Sequence, residues 1–550
     1  MKYKSQIKIF FIFLLIITTQ SILNSIFTLP KGDQTNFLYA AEQLFNGGKL
    51  GIDVWEVKPP LHLFLISMFY IFNKSVMSVH VGELLLNLFA IYIFYKLSKE
   101  KLSKETSTYI SIFYLFFYYF GTPSYERFQV EGLFNPILII SISLLFSKNK
   151  SLHLLSGLFF SFFAFSKIIG LFFFLIVIYF FKRYVLNFLI GFILGISIIL
   201  LLFSFFGSIN NIIEDLKLTV FFRDYASQIN LKNIIFENLF GNIFFSIFFI
   251  IKISFIIIIF IIINLDKYQN KTKIKYIKNC FIILLPPFFC VFLQSKFYLY
   301  HFYYYLPCSA FIFGYLLSNY TSSNLNFFKK PLIKISIIVL IFFFQTSVIF
   351  FAKKIDSRVS KFENRFSFST NTYSFFIETK YFYKFILNNI SLSDYRALIF
   401  ENMDIRFETI YNLSKNNYLL QDVENFKINK ILKLANYVKI NTKKSESVLY
   451  LVNGYFPYFV ERKSHSKYFV PHPFKQIYKN NKKINKNYKL ITQDFEKSLE
   501  KYNGKFIIIS NWFPLDKIHG LKNKINKNYK LSEYSFKHGK EQFFLYEKLT

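Results

Sequence analysis

Over its first 350 positions the chain repeats one pattern: an apolar run, a short lysine-rich stretch, then another apolar run. A helix needs roughly 20 apolar residues to cross a bilayer. The runs at 7–27, 185–206, 243–265 and 333–351 meet that length. Taken in order, the pattern predicts spans at 7–28, 79–97, 107–120, 132–147, 185–206, 243–265, 279–294, 302–318 and 332–352. The largely apolar stretch 152–181 is interrupted by Lys167. As one helix it would run about 45 Å against a hydrocarbon core of roughly 30 Å. A lysine at the bilayer centre costs about 2.5–3.5 kcal/mol. Two short spans that turn at Lys167 avoid both problems. The apolar stretch 61–73 is too short to cross and is placed flat at the interface.

From about 353 onward the pattern changes. Short apolar runs at 397–400, 448–452, 506–509 and 543–546 predict strands, separated by basic, helix-like or irregular segments. A small α/β domain over 353–550 follows. The fold class is therefore a polytopic α-helical membrane protein of about 11 spans, residues 1–352, with a C-terminal extracytoplasmic α/β domain. The octapeptide K-I-N-K-N-Y-K-L occurs at 483–490 and again at 524–531. Equivalent positions in a β/α pair and coincidence in a Lys- and Asn-rich chain explain it equally well.

The formal net charge of +34 would suit a nucleic-acid binder, but the lysines sit in short loops between apolar runs. That is the positive-inside bias of a membrane protein. It puts every lysine-rich loop on one side. The polar loop 29–60, the segment 123–131, Lys167 and the segment 295–301 fall on the other. No nucleic-acid partner is expected; membrane lipids are. Cys280, Cys290 and Cys308 lie in or beside apolar runs and form neither a disulfide framework nor a metal site. The apolar run after the N-terminal M-K-Y-K is long and lacks a small-residue cleavage site, so it reads as an uncleaved first span.

The outer side holds the candidate chemistry. Asp33 opens the helical pattern D-Q-T-N-F-L-Y-A-A just beyond the first span. It reads either as a helix N-cap or as a base for an acceptor hydroxyl. Lys58 stands before Pro59 and Pro60, which force it into extended backbone. It either snorkels to head groups or holds a phosphate as a point charge. Glu131, at the mouth of the 132–147 span, and Glu126 flank Arg127. A local ion pair is the bland account and a functional carboxylate the other. Lys296 and His301 crowd a tyrosine-rich end, K-F-Y-L-Y-H-F-Y-Y-Y-L-P. An aromatic belt accounts for the tyrosines but not for that lysine and histidine together. Two carboxylates and three lysines on one membrane face suit transfer from a lipid phosphate: a base for the acceptor, cations for the charge that builds on the leaving group.

In these residues the chain resembles the polytopic GT-C glycosyltransferases that use polyprenyl-phosphate-linked sugars, in particular the aminoarabinose–lipid A transferase and protein O-mannosyltransferase branch. The family's D-E-T-R-Y-like motif, with its catalytic acid, reads D-Q-T-N-F here, so Asp33 matches and the tyrosine becomes Phe37. The family's E-K-P segment reads V-K-P-P, so Lys58 matches and Glu56 stands one place further back. Glu131, Lys167 and Y-Y-Y-L-P at 303–307 match further points of the layout. The resemblance implies a catalytic role for Asp33, with Glu131 orienting acceptor or donor. It implies donor-phosphate binding by Lys58 and Lys167, assisted by Lys296 and His301. The expected function is a membrane glycosyltransferase of the bacterial cytoplasmic (inner) membrane, building cell-envelope glycan such as lipopolysaccharide. It would move a sugar from a polyprenyl-phosphate donor to a lipid, glycan or protein acceptor on the outer face. A lipid-linked sugar flippase and a polysaccharide polymerase or ligase are the alternatives. The sugar, the acceptor and any divalent-cation requirement are not legible in the sequence.

Overall fold

A computed structural model describes residues 2–207, 270–294, 299–322, 378–404, 426–469 and 486–549, less a few positions inside those ranges (57, 123, 125–126, 453–454 and 539–540), together with positions 210, 213 and 474. The predicted spans 243–265 and 332–352, Lys296 and Glu126 lie outside the described residues.

The membrane part is a helical bundle. Helix α1 (Lys2–Phe27) is followed by α2 (Asp33–Phe45), α3 (Pro60–Phe69), α4 (Val76–Leu102) and α5 (Lys104–Gly121). Then come α6 (Val130–Leu133), α7 (Asn135–Leu144), α8 (Lys150–Ser166), α9 (Phe174–Phe180) and α10 (Val185–Phe206). Two further helices, Asn270–Gln294 and Tyr305–Ser322, complete the described bundle. Among the described residues three stretches are long and apolar enough to cross a membrane: Lys8–Phe27, Val76–Leu102 and Lys182–Phe205. Pro60–Phe69, at about 15 Å, is too short to cross. The break at Lys167 lies where the lysine's desolvation cost predicts it. Helix α8 stops at Ser166, Lys167 is extended (φ −158°, ψ 114°), and a 3-10 turn over Ile168–Phe173 leads into α9. Small residues let α8 and α10 approach closely: a Cβ at Gly157 would overlap the carbonyl oxygen of Phe188, and one at Gly191 that of Leu154.

The C-terminal portion contains a sheet of β1 (Leu449–Leu451), β2 (Phe506–Ser510), β3 (Tyr529–Leu531), β4 (Phe536–His538) and β5 (Glu541–Lys548). β1 runs parallel to β2, β2 antiparallel to β5, and β3 and β4 both pair with β5. β1 and β2 are buried along their whole length, and so on both faces. Ile508, Tyr450 and Leu545 pack with the helix Lys427–Ile440. Ile507, Ile509 and Leu449 pack with helices Lys486–Lys501 and His519–Asn528. Three of the four predicted strands are present. The fourth, 397–400, is helical instead, inside Leu392–Asp404. The two octapeptide copies are not equivalent: 486–490 opens a helix, whereas 524–531 closes one and becomes β3.

The loop after α2 ties the two portions together. Trp55 is fully buried in the tail's core, edge-on to Tyr468 at 5.6 Å. Its backbone N–H donates to Lys467 O at 3.0 Å. Lys463 pairs with Asp53 at 2.7 Å and holds that carboxyl below its usual range. The Ser464 N–H donates to the Tyr39 hydroxyl at 2.7 Å.

Candidate active site

Each candidate residue stands where a helix is interrupted. Gly32 adopts φ 57°, which glycine tolerates without strain, and turns the chain into α2. It is the cap residue, so Asp33 is the first helical residue and its carboxylate caps nothing. The N-cap reading of Asp33 is thereby overturned. The carboxylate is about half exposed and lies 3.8 Å from Lys58 Nζ. A first-turn acid is also favoured by the helix dipole.

Lys58, just ahead of Pro59 and Pro60, is largely buried. Its ammonium donates to Gln129 Oε1 at 3.2 Å. It also lies 5.2 Å from the Phe37 ring and 4.8 Å from the Tyr300 ring. Phe37, where the resembling family has tyrosine, thus contributes a ring face to the lysine. The snorkelling account of Lys58 does not fit this enclosure.

Glu131 is fully buried in the short helix α6. Its Oε1 accepts from Lys167 Nζ in an ion pair and lies 3.9 Å from His301 Nε2. The expected local pair of Arg127 with Glu131 does not form. The Arg127 guanidinium instead donates across to Ser21 and Ser25 of α1, to the Tyr119 carbonyl of α5 and to that of Thr122 just beyond it. Lys167 is about a quarter exposed, with Tyr300 at 5.9 Å. Tyr300 and His301 share the 3-10 turn Leu299–Tyr304.

Two clusters result, Asp33–Lys58–Gln129 and Glu131–Lys167–His301, joined by the ring of Tyr300, which faces both lysines. Gln129 and Tyr300 were not singled out from sequence, because a neutral glutamine and one tyrosine among 39 carry no local signal. His62 and Glu83 were also passed over, although a polar side chain in an apolar helix is itself such a signal. Among the described residues no group of three or more His, Cys, Asp or Glu is arranged to hold a metal. Cys280, Cys290 and Cys308 are all buried.

Two crystal structures of ArnT from Cupriavidus metallidurans are similar to the chain along its length. One, bound to undecaprenyl phosphate, covers 98% of this chain and 98% of its own at 9% identity, with a TM-score of 0.51. The chain has the ArnT fold. The other, in the apo state, covers 99% of this chain and 98% of its own at 8% identity, with a TM-score of 0.48. The likeness is one of architecture, along the whole chain. No family model and no curated protein sequence matches the chain.

Proposed function

We propose that this chain is a membrane glycosyltransferase that moves a sugar from a polyprenyl phosphate to a hydroxyl on a lipid, glycan or protein acceptor at the outer face of a bacterial cytoplasmic membrane. One observation carries this reading: five separate stretches of the chain bring Asp33 to Lys58, and Glu131 to Lys167 and His301, with the Tyr300 ring facing both lysines. The ArnT fold, with one such structure bound to undecaprenyl phosphate, supports a lipid-phosphate donor. The bundle over 1–352 is the catalytic part in this reading, and the portion over 353–550 stands outside the membrane.

The chemistry is a displacement at the anomeric carbon. The donor is a phosphodiester with one negative charge. Asp33, exposed enough to meet an acceptor, takes the proton of the acceptor hydroxyl. The hydroxyl oxygen bonds to the anomeric carbon as the bond from that carbon to the phosphate oxygen breaks. The electron pair stays on the phosphate, which leaves with a second negative charge. Lys58 and Lys167 supply cations where that charge grows, which lowers the barrier because it is the transition state they favour. His301, beside Glu131, assists, and Glu131 orients Lys167. The test uses purified protein with a radiolabelled polyprenyl-phosphate sugar and cell-envelope acceptors. Transfer by the wild type, with loss of about 10²–10⁴-fold in Asp33→Asn and unchanged melting, is expected. Wild-type rates in Asp33→Asn would remove Asp33 from the chemistry, and release without transfer would remove the transferase.

A further inference from the structure

Residues 127–131 link the two clusters, and nearly every one of them is bound to a different element. Arg127 is bound to α1 and α5, as described above. Phe128, fully buried, sits at φ 45°, a left-handed backbone conformation that a bulky side chain rarely adopts. Both of its backbone polar groups are held by side chains from elsewhere. The N–H donates to Glu83 Oε1 at 3.1 Å. The carbonyl accepts from His62 Nε2 at 2.7 Å. Gln129 then reaches Lys58, and Glu131 reaches Lys167.

The two holders are themselves fixed. Glu83, on α4, also accepts from the Tyr118 hydroxyl of α5 and faces His80 at 3.6 Å. The ring of His80 packs edge-on to Phe128 at 5.0 Å. His62, on α3, is wholly buried with its ring edge-on to Phe37 at 4.8 Å. Burial, with Lys58 and Lys167 nearby, pushes its pKa down to about 3. The ring is therefore neutral, and Nε2–H is a fixed donor to the Phe128 carbonyl. A left-handed phenylalanine relaxes toward commoner backbone conformations unless its surroundings over-determine it. Relaxation of that residue would swing Gln129 and Glu131 away from both lysines.

We propose that His62 and Glu83 are positioning residues which clamp the Phe128 backbone, and so fix where Gln129 meets Lys58 and Glu131 meets Lys167. This rests on the glycosyltransferase reading and deepens it. Neither group touches the reacting atoms. What they supply is a hydrogen-bond acceptor and a donor of fixed position, not a proton or a charge. An amide of similar reach does the same work, whereas an apolar side chain does not.

The experiment compares Glu83→Gln, Glu83→Leu, His62→Gln and His62→Leu in the full-length, detergent-solubilised protein. Rates are scaled to the folded fraction seen by size exclusion. In each leucine variant kcat/KM for the lipid-linked sugar is expected to fall about 10–100-fold. The glutamine variants return it to near the wild-type value, with the pH–rate profile unmoved in all four. Should a leucine variant fail to fold, the smaller Glu83→Ser and His62→Ser, which leave room for water, are read in its place. Wild-type kcat/KM in the leucine or serine variants overturns the clamp while leaving the transferase intact. Loss in the glutamine variants equal to that in the leucine variants also overturns it, since the groups would then act by charge or proton transfer. Binding of undecaprenyl phosphate and sugar transfer by the wild type, measured first, decide the underlying reading separately.

Discussion

Replacing Lys167 with methionine tests whether its ion pair with Glu131 serves stability or chemistry. Glu131 is fully buried, and Lys167 is about a quarter exposed. Removing the lysine leaves a buried carboxylate whose nearest remaining partner is His301, 3.9 Å away. Breaking a buried pair from one side costs about 3–5 kcal/mol, because the surviving charge is uncompensated. The partial exposure of Lys167 and the nearness of His301 put Lys167→Met at the low end, about 3 kcal/mol. The double variant Lys167→Met/Glu131→Gln removes both charges, and replacing a buried pair with neutral groups is often close to neutral. The double variant should therefore recover to within about 1 kcal/mol of wild type. Activity should not recover. Loss of a group that meets charge on a leaving phosphate costs about 10²–10³-fold in kcat, and the double variant still lacks it. Stability is read from thermal melting in detergent, and activity from initial rates of sugar transfer. A double variant that melts like wild type and transfers like wild type would show that the pair is structural, and Lys167 would leave the proposed site. A single variant that melts like wild type would refute the electrostatic reasoning itself.

Trp55→Ala removes the largest side chain that the first outer loop places in the tail's core, and truncating a buried tryptophan costs about 3–5 kcal/mol. The expected result is early proteolytic cleavage within 440–549 and a lower melting temperature, with Trp55→Phe intermediate. Melting identical to wild type in Trp55→Ala would contradict the docking. Glu378, buried against Ser124 at 2.9 Å, has its pKa raised from 4.5 to about 7 by burial, with Arg127 pulling it down. The unfolded carboxyl ionises near pH 4.5 while the folded one holds its proton to about pH 7, so the folded state binds more protons in that window. Stability therefore falls as pH rises from about 4.5 to about 7, by about 3 kcal/mol, and is level above it. Glu378→Gln should flatten this slope in melting curves taken from pH 4.5 to 8; parallel slopes in the two proteins would count against it.

Much of the helical layout is written in apolar run length, because run length and desolvation cost are local properties. The break at Lys167 follows from the cost of a lysine at mid-bilayer, and the start of α3 just after Lys58 from a proline at its first helical position. The residues 397–400 show where such reasoning stops. A-L-I-F is a four-residue apolar run that reads as a strand, yet it lies in a helix whose neighbours Tyr395, Ala397, Leu398, Ile399 and Phe400 are all buried. A segment buried on every side shows no periodicity, so helix and strand are indistinguishable from pattern. Arg127 fails for the opposite reason. Two glutamates flank it in sequence, but its partners on α1 lie 106 and 102 positions away, and no spacing rule reaches that far. The left-handed Phe128 is equally silent, since nothing about a phenylalanine announces φ 45°.

The five ionisable groups of the two clusters share one local property, and it has a physical origin. Each sits beside an interruption of helix: Asp33 after Gly32, Lys58 before Pro59, Glu131 between the extended Gln129 and the α6–α7 break, Lys167 in extended backbone, His301 in a 3-10 turn. A charge in mid-span costs about 2.5–3.5 kcal/mol even on the gentler scale, whereas a helix terminus already carries unpaired backbone groups and needs polar company. A membrane bundle that requires several charges in one place therefore assembles them where helices end on a common side. The sequence distance between the members, 268 positions from Asp33 to His301, is a consequence of that rule, because helices far apart in the chain contribute their ends. The same rule makes the positioning problem hard, since chain ends of helices are the least rigid part of them. Clamping the Phe128 backbone from Glu83, well inside α4, and from the buried His62 in the first turn of α3 lends it rigidity from two other elements.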